Sequence, residues 1–346
     1  IAASLSAAIG LVGVALSGAG SDATNTIANS VKAFTDNSIV ATTHVGTPPV
    51  GADITLDADS SSTITAIVGA VSGAVAGGLV AVAGSVGTAF GTNLIGPTTI
   101  GITDYDSEVL AYALDSTLTS TSDVTIEAAS TDVIGATVFA GSIAIAVGIG
   151  SAFAASGASV SNTFNSDVHA YIEDSDVSAA DNIEVKADSD SKVDYASAVG
   201  VSISTSLSAI SVGISTVNNL IANDVQAYLQ GTGSDTVTAG GDIDVWADAA
   251  ARLEDVTAVT AAVSMGWVAV SGGGIALNNT INNNVVAKST GALTVTALGD
   301  VEIKAEETAY AEAQAVQVTV AIGLGSALGV AVLHNDINST ILAKVN

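Results

Sequence analysis

Residues 162–188 read NTFNSDVHAYIEDSDVSAADNIEVKAD and residues 197–223 read SAVGVSISTSLSAISVGISTVNNLIAN. Together they are the cleanest copy of a unit that recurs along the chain. Its Val-x-Ala segment begins at Val168, and equivalents begin at Val31, Val109, Val225, Val285 and Ile341; the last four intervals are 59, 57, 60 and 56 residues. A second landmark keeps step, because Ile54, Val124, Ile183, Ile243 and Val301 each open an apolar-x-apolar-x-Ala segment with Asp or Asn just before it. Two landmarks recurring every ~58 residues identify a stacked array of supersecondary units.

Within a copy the apolar period is two. Val199, Val201 and Ile203 alternate with Gly, Ser and Thr, and Ile210, Val212 and Ile214 alternate again after one change of phase; Ile143, Ile145, Val147 and Ile149 do the same. Such alternation is the mark of strands. The phase changes read as corners, so about six short strands per copy suit a coil of three strands, with two coils per copy, or three coils of ~19 residues. The predicted fold class is all-β, an elongated parallel β-helix (β-solenoid) of about five to six copies. The apolar members of the alternating runs, Ile183, Val185, Val201, Ile203, Val212 and Ile214, are expected to point inward. Residues 67–79 likewise carry Ile, Val and Leu on one parity and Ala, Ser and Gly on the other, which predicts a large inner face and a flat outer one.

Composition narrows the partners. Thirty-four acidic against 7 basic residues give a formal charge of −27, whereas nucleic acid and anionic lipid both require basic patches. Neither is expected. A chain that is 49% hydrophobic and only 12% charged folds rather than remaining a disordered acidic tail. With no cysteine, thiolate metal sites, c-type haem attachment and a disulfide framework are excluded. Residues 63–101 and 133–165 carry no charge and exceed the length of a transmembrane helix. Equivalent stretches elsewhere alternate with period two, and no Lys/Arg cluster flanks them, so no transmembrane segment is expected.

Domain organisation follows from the array. Residues 1–346 are read as one continuous solenoid segment, with loops inserted near 44–50 and 97–106, where the three prolines lie (Pro48, Pro49 and Pro97). Proline removes a ladder donor, so it belongs outside the regular coils. Residues 1–30 read like the tail of a copy and ILAKVN opens a new one, so this is expected to be a window on a longer array, with export signals, anchors and caps outside it.

The pattern Asn-x-(Ile/Phe)-x-x-x-Val-x-Ala-(Tyr/Phe), then an Asp-(Ile/Val)-x-(Val/Ile/Leu)-x-Ala segment and a Gly/Ala/Ser/Val tail, resembles the repeats of giant bacterial surface proteins of the filamentous haemagglutinin-like and leukotoxin-like adhesin group. It is carried by Asn162, Phe164, Val168, Ala170, Tyr171, Ile183, Val185 and Ala187, and again by Asn219, Ile221, Val225, Ala227, Tyr228, Ile243, Val245 and Ala247. The copy at Val109 departs, with Thr103 where Asn is expected and Tyr105 in place of Ile. The resemblance implies an exported bacterial rod, extracellular or at the cell surface, acting in adhesion or surface structure, whose partners are copies of itself or other surface proteins and glycans.

Candidate site residues are few. Asn25, Asn162, Asn219, Asn279 and Asn335 each lie six residues before the anchor Val or Ile, and a position reused in this way reads as structural, its amide capping buried turns. Asp59, Asp188, Asp248 and Glu306 recur after the second Ala and read as a solvated corner row. Asp104, Asp106 and Glu108, two apart on a strand, share a face and are the calcium candidates; no other cofactor is expected. His44, His169 and His334 are isolated in sequence, no nucleophile elbow, P-loop or dinucleotide fingerprint occurs, and one Arg with 4% aromatics does not furnish the groove of a carbohydrate-active β-helix enzyme. The expectation is a non-enzymatic rod or stalk, with a self-assembling filament or surface layer, packing through flat Ala/Gly/Ser/Val faces, as the alternative.

Overall fold

The computed structural model describes residues 1–44, 51–100, 103–105 and 107–346. Its described residues are strand and connecting turns without helix, and the long sheets are parallel throughout. The chain is a parallel β-helix in which one copy makes one coil. Ile183 pairs with Ile243 and with Val124, and Val225 pairs with Val168 and Val285. The two-coil and three-coil alternatives are therefore corrected: what read as several short strands is a small number of long ones passing through each change of phase.

The coil containing Val168 shows the path. Asp167–Glu173 and Asp176–Ala179 run along one side, Ile183–Thr205 crosses the full width on the other, and Ser208–Ile221 returns toward the start. Twenty-three residues in the crossing strand span about 75 Å at ~3.3 Å per residue, so the coil is a wide, flat, two-layered loop. Asp174 turns the first corner with φ 46°, as Asn37 and Asp115 do at the same place with φ 46° and 47°; Asp and Asn tolerate this left-handed conformation best among residues with a side chain. At the far edge, the tip, Gly148 and Gly323 turn with φ 131° and 137°, and a Cβ on either would collide with the carbonyl of the coil below.

Three cores lie side by side across this width. Val168, Ile172, Val177, Ile183 and Val185 fill the head end, while Ile134, Val160, Phe164, Val193, Val217 and Ile221 fill the middle. Toward the tip the interior is lined by alanines, among them Ala74, Ala83, Ala144 and Ala154, with serines that bond across the gap: Ser72 to Ser85 at 2.7 Å and Ser202 to Ser211 at 2.8 Å. Burying a Val or Ile stabilises by roughly 1.5–3 kcal/mol and an alanine methyl by less. The head and middle thus supply most of the hydrophobic stabilisation, and the tip relies on its backbone ladder and on close approach of two layers of small residues.

This arrangement reverses the expected facing of the tail. Ile183 and Val185 are fully buried, but Val201, Ile203, Val212 and Ile214 point outward, while Ser202, Ser204, Ser211, Gly213 and Ser215 point in. The cause is a bulge. Ile134 pairs with Val193 but Gly135 pairs with Tyr195, which leaves Asp194 as an extra residue. One inserted residue moves every later side chain to the opposite face. In the coil containing Ile143 no bulge separates it from the coil below along this stretch, and there too Ala144 and Ala146 are inside while Ile143 and Val147 are 42% and 63% exposed. The Ala/Gly/Ser parity is therefore the interior and not a flat outer contact face, which also corrects the surface assumed for lateral packing.

Of the two insertions, Thr98–Ile100 and Thr103–Tyr105 form an antiparallel pair budding from the regular coil, and the other falls largely in residues 45–50, outside the described residues. No helix of the described residues is long and apolar enough to cross a membrane.

Candidate functional site

Stacking one copy per coil turns each recurring residue into a column along the axis. Asn25, Asn93, Asn162, Asn219, Asn279 and Asn335 form the innermost one, each side-chain amide donating to the next carbonyl oxygen at 2.8, 2.8, 2.8, 2.8 and 3.0 Å. Asn93, Asn162, Asn219 and Asn279 are buried. The sequence placed five of these six; the sixth is Asn93 and not a replacement at Thr103, because the insertion displaces it from its anchor. Asn93-Leu94-Ile95 ahead of Pro97 was the available signal. A second column follows at the next corner, where Asn223 Oδ1 accepts from the Ser166 backbone at 3.0 Å, Asn283 Oδ1 accepts from the Asn223 backbone at 2.9 Å, and the Asn223 amide donates to Ser189 and Ser191.

On the outer face of the shorter sheet Phe34, Tyr112, Tyr171 and Tyr228 stack with centroids 5.0, 4.8 and 4.7 Å apart, and the Lys288 ammonium caps the stack 4.8 Å from the last ring. Burial, with Tyr112, Glu173 and Glu108 nearby, pushes the Tyr171 hydroxyl up to about 12, and burial beside Tyr171 and Glu173 raises Tyr228 further. These phenols stay neutral. Next to this column Asp167, His169 and Asp224 bring ligand-type atoms within 4.8 Å of one another. Both Asp224 oxygens are engaged: Oδ1 accepts from Asn284 at 2.7 Å, and Oδ2 accepts from Gln226 at 2.7 Å and lies 3.1 Å from His169 Nε2. Burial works to raise Asp224, but hydrogen bonds from His169, Asn284 and Gln226 outweigh it and hold the carboxyl below its ordinary value. His169 and Asp224 belong to a hydrogen-bonded surface network with Asp167 beside them, and His169 is not isolated in space.

The row of Asp59, Asp188, Asp248 and Glu306 is real, with Ala129 completing it, but it lies within the long strand and not at a corner. Lys186 pairs with Asp188 at 3.2 Å and with Glu127 at 3.1 Å, Lys304 pairs with Glu306 at 2.8 Å, and Lys304 sits 5.6 Å from the Trp246 ring centre. Between them Asp248 is raised by burial and by Asp188 and Glu306. Of the calcium candidates, Asp106 and the side chain of Asp104 lie outside the described residues. Glu108 faces the regular sheet, paired with Lys32 at 2.7 Å and accepting from Ser30 at 3.1 Å. Among the described residues the structure sets like residues in columns along the axis, with Asp167, His169 and Asp224 as a cluster of unlike ligand-type groups beside them. No family model, curated protein or solved structure matches the chain.

Proposed function

We propose that this chain is a non-enzymatic structural and adhesive segment of a large secreted or surface-displayed bacterial protein, a stalk built by adding coils. The observation that carries the reading is the equivalence of one copy and one coil, with the asparagine column continuing unbroken through it. Such a body lengthens by repetition without a new kind of contact. The resemblance to filamentous haemagglutinin-like repeats supports the same role, as does an acidic outer surface held together without cysteine.

Electron microscopy of the purified chain beside a version carrying two further copies of residues 167–223 tests it. The longer protein should gain about 10 Å along the coil axis, at ~4.8 Å per coil, with an unchanged cross-section. Extra copies that fold as a separate body, or widen the particle instead, would overturn the stalk.

A further inference from the structure

The outward parity of the tip has no partner among the described residues. On the face formed by the outgoing strands, Leu5, Gly73, Ile143, Ile203, Val263 and Val320 stand in one row across six coils. Rows two residues to either side are equally apolar, with Thr205 the only polar side chain among the four rows at the levels of Val199, Val201, Ile203 and Thr205. The returning face differs. Its rows are interrupted by Thr88, Ser151, Ser208 and Ser326 and by several glycines.

Two quantities decide what covers the outgoing face. Four rows about 7 Å apart and six coils ~4.8 Å apart give a patch of roughly 27 by 29 Å, or about 800 Å². That is about what each partner contributes to a stable protein interface, and more than lone soluble proteins usually leave bare. Charge fixes the orientation. The stretches that build the tip, such as residues 195–223 and 256–287, contain no charged residue, so the acidic side chains lie toward the head. Two copies apposed tip on tip with heads pointing opposite ways keep those acidic ends apart, whereas heads in parallel would set them against each other.

We infer that a second copy of this chain covers the outgoing face of the tip, related by a two-fold axis near Ile143 and Ile203. The pairing goes beyond the stalk reading and adds a lateral contact to it, and either stands if the other falls. Sedimentation equilibrium of the full chain tests it. The parent should be a dimer, and Ile143→Lys with Ile203→Lys should weaken it by at least ~100-fold while circular dichroism stays that of the parent, because both side chains point outward. Phe153→Lys with Ile210→Lys, on the returning face, should remain dimeric. Should either lysine pair disturb folding, Ile203→Cys in this cysteine-free chain should give a disulfide-linked dimer under mild oxidation and Ile210→Cys should not. A parent that is monomeric at all concentrations, equal loss of dimer from both faces, or dissolution of the dimer by neutral phosphatidylcholine vesicles with the chain floating on the lipid would each overturn the inference.

Discussion

A buried amide that both donates to and accepts from its own kind above and below gives the column at Asn219 its weight. Replacing Asn219 by Ala leaves the Asn162 amide without its acceptor and Asn279 Oδ1 without its donor, and a buried unsatisfied group costs about 1–3 kcal/mol. Denaturant unfolding should show a loss at or above that range, against almost none for the exposed neighbour Asn218→Ala; equal losses would show the column to be inert. A second residue works the other way. Asp132, 2% exposed, lies in register with Ser62 and Ser191, and burial raises its carboxyl despite hydrogen bonds from Ser130 and Ser62. A raised acid binds its proton more tightly in the folded chain, so stability is lost as pH rises from the ordinary carboxylate range through the folded value. Asp132→Asn should melt above the parent at neutral pH and converge with it in acid; a constant offset across pH would refute the assignment. The five asparagines were legible because each kept its distance to an anchor. Asn93 was not, because an insertion changed that distance.

Strands carry a different lesson, since in a strand the facing of a residue depends on everything that precedes it. Ile183, Val185, Val199, Val201 and Ile203 share one parity in sequence and read as one face, yet the extra residue at Asp194 divides them between interior and exterior. Nothing in the alternation itself could assign the tail, because both of its parities lack charge and burial of the smaller one depends on how closely the two layers approach. Strand content, by contrast, was plain from period two. The element-scale test is a contrast of substitutions. Val185→Asp places an unpaired charge in the head core and should cost several kcal/mol, whereas Ile203→Lys, equally drastic by composition, should shift the stability of the monomeric chain, measured at a concentration too low for pairing, by less than ~1 kcal/mol because its ammonium there reaches water. Comparable melting of the two proteins would restore the inward reading of the tail.

At the scale of the whole molecule, the repeat and the β-helix were legible from spacing, while the number of coils per copy was not. Counting strands presumes that each ends at a phase change, and here bulges and the tip produce phase changes inside long strands. Stacking also piles charge. Burial and the like charges stacked around them raise Glu184, Asp244 and Asp248, so the folded chain again holds protons more tightly than the unfolded one. Stability should therefore climb as pH falls from neutral toward the ordinary carboxylate range. Added salt or millimolar Ca²⁺ should raise the melting midpoint at neutral pH and flatten that climb, because counterions screen the same repulsion. A midpoint indifferent to both would show that the −27 charge carries no strain.

The ladder between neighbouring coils runs from Ile54 beside Val124 to Ile95 beside Phe164, and nearly all of its hydrogen bonds lie along the axis. A pull along that axis, spread over a whole coil, loads them together rather than one after another. The same geometry blunts a protease: a cut at an exposed corner leaves both new ends clamped between the coils above and below, and the nicked coil stays in its place in the stack.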